Sequence, residues 1–141
     1  MRILAADEAW DAEFAAEHNI VRADVDRICR EADFISLHCN LTPETTGLID
    51  ARRIGMMKPQ AVIVNTARGG LIDEKALLDA LANKRIWGAG LDVFAKEPPE
   101  EEEWYKLDNV ILGSHCSAST KGAVEMMGKM AVRNLLDDLG L

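Results

Sequence analysis

The chain has 141 residues, 48% of them hydrophobic and 28% charged, which suffices for one globular domain with a core of its own. Acidic residues number 24 against 16 basic ones, and the formal net charge of -8 argues against nucleic acid or an anionic membrane as a partner. No apolar stretch reaches the roughly 20 residues that span a bilayer, the patch from Ile3 to Ala6 is too short for a secretory signal, and Cys29, Cys39 and Cys116 lack CxxC spacing, which fits reduced thiols in the cytoplasm and no zinc site.

Taken in chain order, strands alternate with helices. Arg2–Ala6 reads as a strand, followed by helices over Asp7–Asn19 and Asp24–Ala32. A strand at Phe34–His38 precedes a helix at Asp50–Met57, and a strand at Ala61–Asn65 precedes a helix at Asp73–Asn83. Two further strands, Trp87–Asp92 and Val110–Leu112, lead to a long final helix, Ser119–Leu139. The strand runs are contiguously apolar, which predicts burial on both faces. Each helical segment opens on a residue able to cap an N-terminus. In the last helix Ala123, Met126, Met127, Met130, Ala131, Leu135 and Leu139 form one stripe, read as core packing in preference to a methionine-lined groove. Glu100 to Glu103, beside Pro98 and Pro99, read as a solvated loop. The alternation predicts an α/β fold with a parallel sheet and right-handed crossovers.

Three segments carry chemistry: NTARGG at 65–70, LDVFAKEPP at 91–99 and GSHCSAST at 113–120. Each sets one capable side chain just after a strand, where open α/β sheets place their sites. Arg68 precedes Gly69 and Gly70, so the backbone turns sharply and the guanidinium is thrown over the carboxyl edge of the sheet. Its planar fork of donors suits a carboxylate or a ketone oxygen gaining charge, although an arginine before two glycines is more often a surface turn residue. His115 follows the last strand. Its value depends on Glu97, because a carboxylate beside a histidine favours the protonated ring and fixes its orientation, as general acid work near neutral pH requires. By itself Glu97 reads as a solvated acid.

In combination and in order, HCNLTPETTGLID, NTARGGLIDEKALLDAL, AGLDVFAKEPPEE and HCSASTKGA resemble the D-isomer-specific 2-hydroxyacid dehydrogenase family, in its D-3-phosphoglycerate dehydrogenase-like branch. The resemblance covers nearly the whole chain. It implies reversible oxidation of a D-2-hydroxy acid, such as 3-phosphoglycerate, to its 2-keto acid with hydride passed to NAD. It makes Arg68 the substrate-binding and oxyanion-stabilising arginine, His115 the general acid/base and Glu97 its paired carboxylate. It also implies that Asp7 receives the adenine ribose hydroxyls and so favours NAD over NADP, and that Asp92 bonds the nicotinamide carboxamide. Read from the residues alone, Asp7 is equally a helix cap, whereas an acid in a strand as apolar as that before Asp92 needs a partner. Backbone at Cys39, Thr66, Ala67 and Arg68, and the turn from His115 through Ser117 to Ala118, line the nicotinamide and ribose by the same resemblance. The chain departs from the family pattern at Cys39–Asn40, where a proline is common, and at Ser117–Ala118, where a glycine-rich turn is usual.

The larger departure is at the N-terminus. In the family a Gly-x-Gly-x-x-Gly loop, with its strand and helix, lies immediately before the position of Met1. The expectation is therefore an incomplete Rossmann domain over residues 1–141, a doubly wound parallel sheet without its first strand, and without the substrate-binding domain. The lost strand belongs between Arg2–Ala6 and Phe34–His38. Three outcomes follow: direct pairing of those strands, exchange of elements within a dimer, or a partly disordered N-terminus. Function divides into a portion of an NAD-dependent dehydrogenase, acting on a small 2-hydroxy or 2-keto acid as a homo-oligomer or with a missing-half partner, and a non-catalytic binding or oligomerisation module derived from that family. A flavodoxin-like receiver is disfavoured, because it needs an acidic cluster after the first strand and a lysine after a late one.

Overall fold

Each helix begins where the sequence offers a side-chain oxygen to an otherwise orphaned N–H. In the computed structural model, which describes residues 1–140, Asp11 caps α1 (Ala12–Glu17), Asp24 caps α2 (Val25–Glu31), Asp50 caps α3 (Ala51–Ile54), Asp73 caps α4 (Glu74–Ala82) and Thr120 caps α5 (Lys121–Leu139). The four aspartate caps accept at 2.7–3.0 Å, contacts each contributing about 1 kcal/mol. Asp7 is not among them. Its Oδ1 accepts the Ala9 N–H at 2.8 Å, closing a turn that holds the chain out of helix until Asp11, so the helix expected from Asp7 is much shorter.

The strands are β1 (Ile3–Ala5), β2 (Ile20–Arg22), β3 (Phe34–Leu37), β4 (Val62–Asn65), β5 (Gly88–Leu91) and β6 (Val110–Leu112). All pair in parallel, in two sheets: β1-β2 and β3-β4-β5-β6. The β2 strand was not expected. Of the three outcomes expected for the strands flanking the family's first strand, direct pairing does not occur, since β1 and β3 share no ladder. Nor is the N-terminus without structure, because Ile3 aligns with Ile20 and Ala5 with Arg22. The order leaves β1 and β3 each with one unpaired edge, the two edges a central strand would join. One charge pair ties the small sheet to the rest: Arg2, before β1, pairs with Glu31 of α2, which Arg27 of the same helix also contacts.

Register explains the core. Ile35, Ile63 and Ala89 align across β3, β4 and β5, as do Leu37, Asn65 and Leu91. These residues are buried against Cys29 of α2, Ile54 of α3 and Leu77, Ala80 and Leu81 of α4. Burying each of the larger aliphatic side chains contributes roughly 1.5–3 kcal/mol. Side chains one residue out of phase point to the opposite face. There Ser36, Val64, Gly90 and Ile111 align, and Phe34 and Ile111 are 75% and 78% exposed. The expectation of strands buried on both faces is therefore wrong for the outer strands, because α2, α3 and α4 all pack on one side.

The stripe on α5 is likewise not core. Met126, Met127, Met130, Leu135 and Leu139 are all exposed, and α5 has no buried residue. Periodicity specified a shared face without specifying a partner for it. No helix among the described residues is long and apolar enough to cross a membrane.

Candidate active site

The turn after β4 is organised by Asn65, a buried polar side chain that the sequence reading passed over. Its Oδ1 accepts the Ala67 N–H at 3.0 Å and its Nδ2 donates to the Arg68 carbonyl at 2.9 Å. Both polar ends are hydrogen-bonded, which offsets the cost of burying the amide and ties the 65–68 turn to the end of β4. A lone asparagine closing the apolar run VIVN was the available signal. Arg68 leaves this turn in extended backbone with its side chain exposed, and its Nη1 donates to the Ala67 carbonyl at 2.6 Å.

Gly69 follows, and only glycine fits there. A Cβ at this position would lie 1.9 Å from the Phe94 carbonyl carbon and 2.2 Å from the Ala95 nitrogen. The close approach brings the turn bearing Arg68 against the segment after β5 that bears Glu97.

Glu97 faces two donors. Its Oε1 accepts the Phe94 N–H at 3.1 Å, and its Oε2 lies 2.9 Å from His115 Nδ1. A carboxylate only accepts, so Nδ1 carries the proton and Nε2 is left as the reactive ring nitrogen. The hydrogen bond from His115, reinforced by the Phe94 N–H and more weakly by the charge of Arg68, holds the Glu97 carboxyl below the usual glutamate range. The structure thus brings Glu97 and His115 into contact from beyond β5 and β6, and sets Arg68, beyond β4, on the turn that packs against the Glu97 segment.

His115 itself adopts a left-handed backbone, φ 50°, which a non-glycine residue holds only when its surroundings require it. Here the requirement is Asp92, whose Oδ1 accepts the His115 N–H at 3.1 Å. Asp92 also touches Gly113, where a Cβ would fall 2.1 Å from Oδ1. Sequence reasoning found Asp92 but missed this backbone role.

The remaining expected residues divide by position. Cys39, Ala67 and Arg68 line a cleft of about 450 Å³ with His38, Asn40 and Leu41, at the carboxyl ends of β3 and β4. Thr66 stands exposed beside it, and Ser117 and Ala118 form an exposed 3₁₀ turn beyond His115. Asp7 stands after β1, in the other sheet, with one oxygen used by Ala9 and the other making no hydrogen bond among the described residues.

Residues 1–117 match the model of the family described as D-isomer specific 2-hydroxyacid dehydrogenase, NAD binding domain. The chain is 47% identical over 112 residues to a D-3-phosphoglycerate dehydrogenase of Methanocaldococcus jannaschii, a match covering 79% of this chain and 21% of that protein. It is 40% identical to a hydroxypyruvate reductase of Thermotoga maritima, over 100% of this chain and 46% of the relative. In structure it resembles a D-isomer specific 2-hydroxyacid dehydrogenase from Lactobacillus delbrueckii ssp. bulgaricus, solved in its NAD-complexed form, with a TM-score of 0.87, 32% identity, and coverage of 99% of this chain and 46% of that one. The chain therefore spans less than half the length of each of these relatives. With its candidate residues on the carboxyl edge of a parallel sheet and the family model matched over most of its length, the chain belongs to the D-isomer specific 2-hydroxyacid dehydrogenases, in their NAD-binding domain.

Proposed function

We propose that Arg68, Glu97 and His115 form the catalytic edge of an NAD-dependent oxidoreductase that interconverts a D-2-hydroxy acid and its 2-keto acid. The observation that carries this reading is the His115 Nδ1 to Glu97 Oε2 contact at 2.9 Å, which leaves Nε2 free at the mouth of the sheet. The residues present fit the nicotinamide and adenosine ends of NAD. Asp92 has a second carboxylate oxygen that would accept from a carboxamide, Cys39, Thr66, Ala67, Arg68 and the His115–Ala118 turn would hold the nicotinamide ribose, and the unused oxygen of Asp7 suits a ribose hydroxyl. Bound there, NAD supplies the hydride acceptor.

In the oxidation direction His115 Nε2 takes the hydroxyl proton of the substrate, and Glu97 stabilises the imidazolium that results. Arg68 holds the substrate carboxylate and the oxygen that becomes the carbonyl, so that its charge is met in the transition state as well as in the ground state. In reduction the same proton returns from Nε2 to the oxygen, and the 2-hydroxy acid leaves. The substrate is a small 2-hydroxy or 2-keto acid, with 3-phosphoglycerate as the branch-level expectation, and the protein acts in the cytoplasm.

The test is loss of NADH absorbance across a set of 2-keto acids, with the chain alone and with the remainder of a family member supplied in trans. Turnover that falls about 10²-fold or more in His115→Ala or Arg68→Ala supports the reading. Turnover indifferent to both substitutions sinks it. The alternative, a binding or oligomerisation module, is favoured by the bare apolar side chains of Phe34, Ile111 and α5. It predicts self-association in sedimentation without turnover in any mixture. Exchange of elements within a homodimer would satisfy the open edges of β1 and β3, and a homo-oligomer is compatible with either reading.

A further inference from the structure

Glu74 opens α4 directly after its cap, where an acid favours the helix dipole. Its side chain does more than meet the dipole. Oε1 accepts the backbone N–H of Ala95 at 2.6 Å, across 21 residues of sequence. The carboxyl is half-buried; burial pushes its proton affinity up, and the Ala95 N–H pulls the other way. Two consecutive amides after β5 are thus held by two different glutamates: Phe94 N–H by Glu97 at 3.1 Å, and Ala95 N–H by Glu74. The peptide between them is the one Gly69 packs against, its missing Cβ leaving room for Phe94 and Ala95 backbone. The Gly69 turn and Glu74 thus meet on the Phe94–Ala95 peptide, and Glu97 holds the amide just before it.

We propose that Glu74 is a positioning residue, which pins the Phe94–Ala95 peptide against the Gly69 turn and thereby sets Glu97 on His115 and beside Arg68. The functional meaning of this rests on the catalytic reading above; its structural content does not. Without an acceptor for the Ala95 N–H, the segment from Phe94 to Glu97 is free to lift from the Gly69 turn. The carboxylate that orients His115 then loses its fixed place.

The experiment is a carboxyl-carbon NMR titration of Glu97 in the 141-residue chain, wild type against Glu74→Asp and Glu74→Gln, with thermal melting alongside. Glu74→Asp keeps the charge at the first turn of α4 but is one methylene too short to reach Ala95. The Glu97 titration midpoint is expected to rise toward the ordinary glutamate range. Glu74→Gln keeps a carbonyl oxygen for Ala95 and removes a like charge near Glu97, so the midpoint is expected to stay low or fall further. A folded Glu74→Asp chain with the wild-type Glu97 midpoint overturns the proposal. So does a rise in Glu74→Gln, which remains readable if the aspartate variant does not fold. Failure of the chain to turn over 2-keto acids would sink the catalytic reading and leave these midpoints unaffected, so the two ideas fail separately.

Discussion

Asp92 Oδ1 accepts the backbone N–H of His115 at 3.1 Å, so the first residue beyond β5 holds the turn that follows β6. His115 makes this contact at φ 50°, with its ring Nδ1 2.9 Å from Glu97 Oε2. An acid assigned by family resemblance to the cofactor therefore has a second task in the protein itself.

Removing this acceptor should uncouple the histidine. Asp92→Ala is expected to cost about 1–3 kcal/mol in urea denaturation, the usual penalty for a lost charge-assisted hydrogen bond. It should also abolish the ring-nitrogen NMR signature of a His115 Nδ1–H bonded to carboxylate. Asp92→Asn keeps an Oδ1 acceptor and should restore much of both. A stable Asp92→Ala chain with the ring signature unchanged would show that the backbone of His115 is held by something else.

The glycines separate by what surrounds them. Gly69→Ala drives a Cβ to 1.9 Å from the Phe94 backbone, which has no flexible end to move aside, so a loss of about 3 kcal/mol or more is expected. Gly128 lies inside α5 with nothing within 4 Å of an added Cβ. Gly128→Ala should stabilise the helix by up to about 1 kcal/mol. Melting temperatures that move in the same direction for both substitutions would contradict the packing at Gly69.

Acid should act through Glu97. Its carboxyl binds a proton less readily in the folded chain than in the unfolded one, chiefly because His115 donates to the ionised form. Stability from this contact is complete above the unfolded glutamate value of about 4.3 and is lost as pH falls through the lower folded value. The stability gap between wild type and Glu97→Gln should therefore be full near neutrality and close on acidification in that window. Denaturation curves collected across the acid range check this, and a gap that widens as pH falls contradicts the pairing.

Much of this architecture was legible because the chemistry follows strands. Arg68, Glu97 and His115 each trail a short apolar run, and the family pattern fixes their order. The parts that were not legible share a different cause. Ile20–Arg22 is a three-residue strand with a charged end, too short to show a period and adjacent to a helical pattern. Asp7 and Asp11 are both competent caps, and only the turn closed by Asp7 onto Ala9 decides between them. The stripe on α5 and the apolar β3 and β6 residues report which side chains share a face, but not whether anything packs there. Asn65 escaped because its importance lies in two hydrogen bonds to the backbone that follows it, which composition does not display.

Cofactor binding should be visible from one tryptophan. Trp10 stands three residues past Asp7 and has the Arg22 guanidinium 5.3 Å from its ring centroid, at the carboxyl side of the small sheet. Trp87 precedes β5, at the opposite end of the strands, and Trp104 is buried against Phe94 with ring centroids 6.0 Å apart. NADH seated with its adenosine end at Asp7 should therefore quench Trp10, and Trp10→Phe should remove most of the change. Among the described residues no glycine-rich turn opens a helix beside β1 to offer backbone N–H groups to the two phosphates. Affinity near millimolar, about -4 kcal/mol, is expected for the chain alone. NADPH should bind more weakly still, since its 2′-phosphate meets the Asp7 carboxylate, and Asp7→Asn should narrow the difference. Equal affinity for the two cofactors in the wild type, or quenching that survives Trp10→Phe intact, would place the dinucleotide elsewhere on the sheet and separate Asp7 from its recognition.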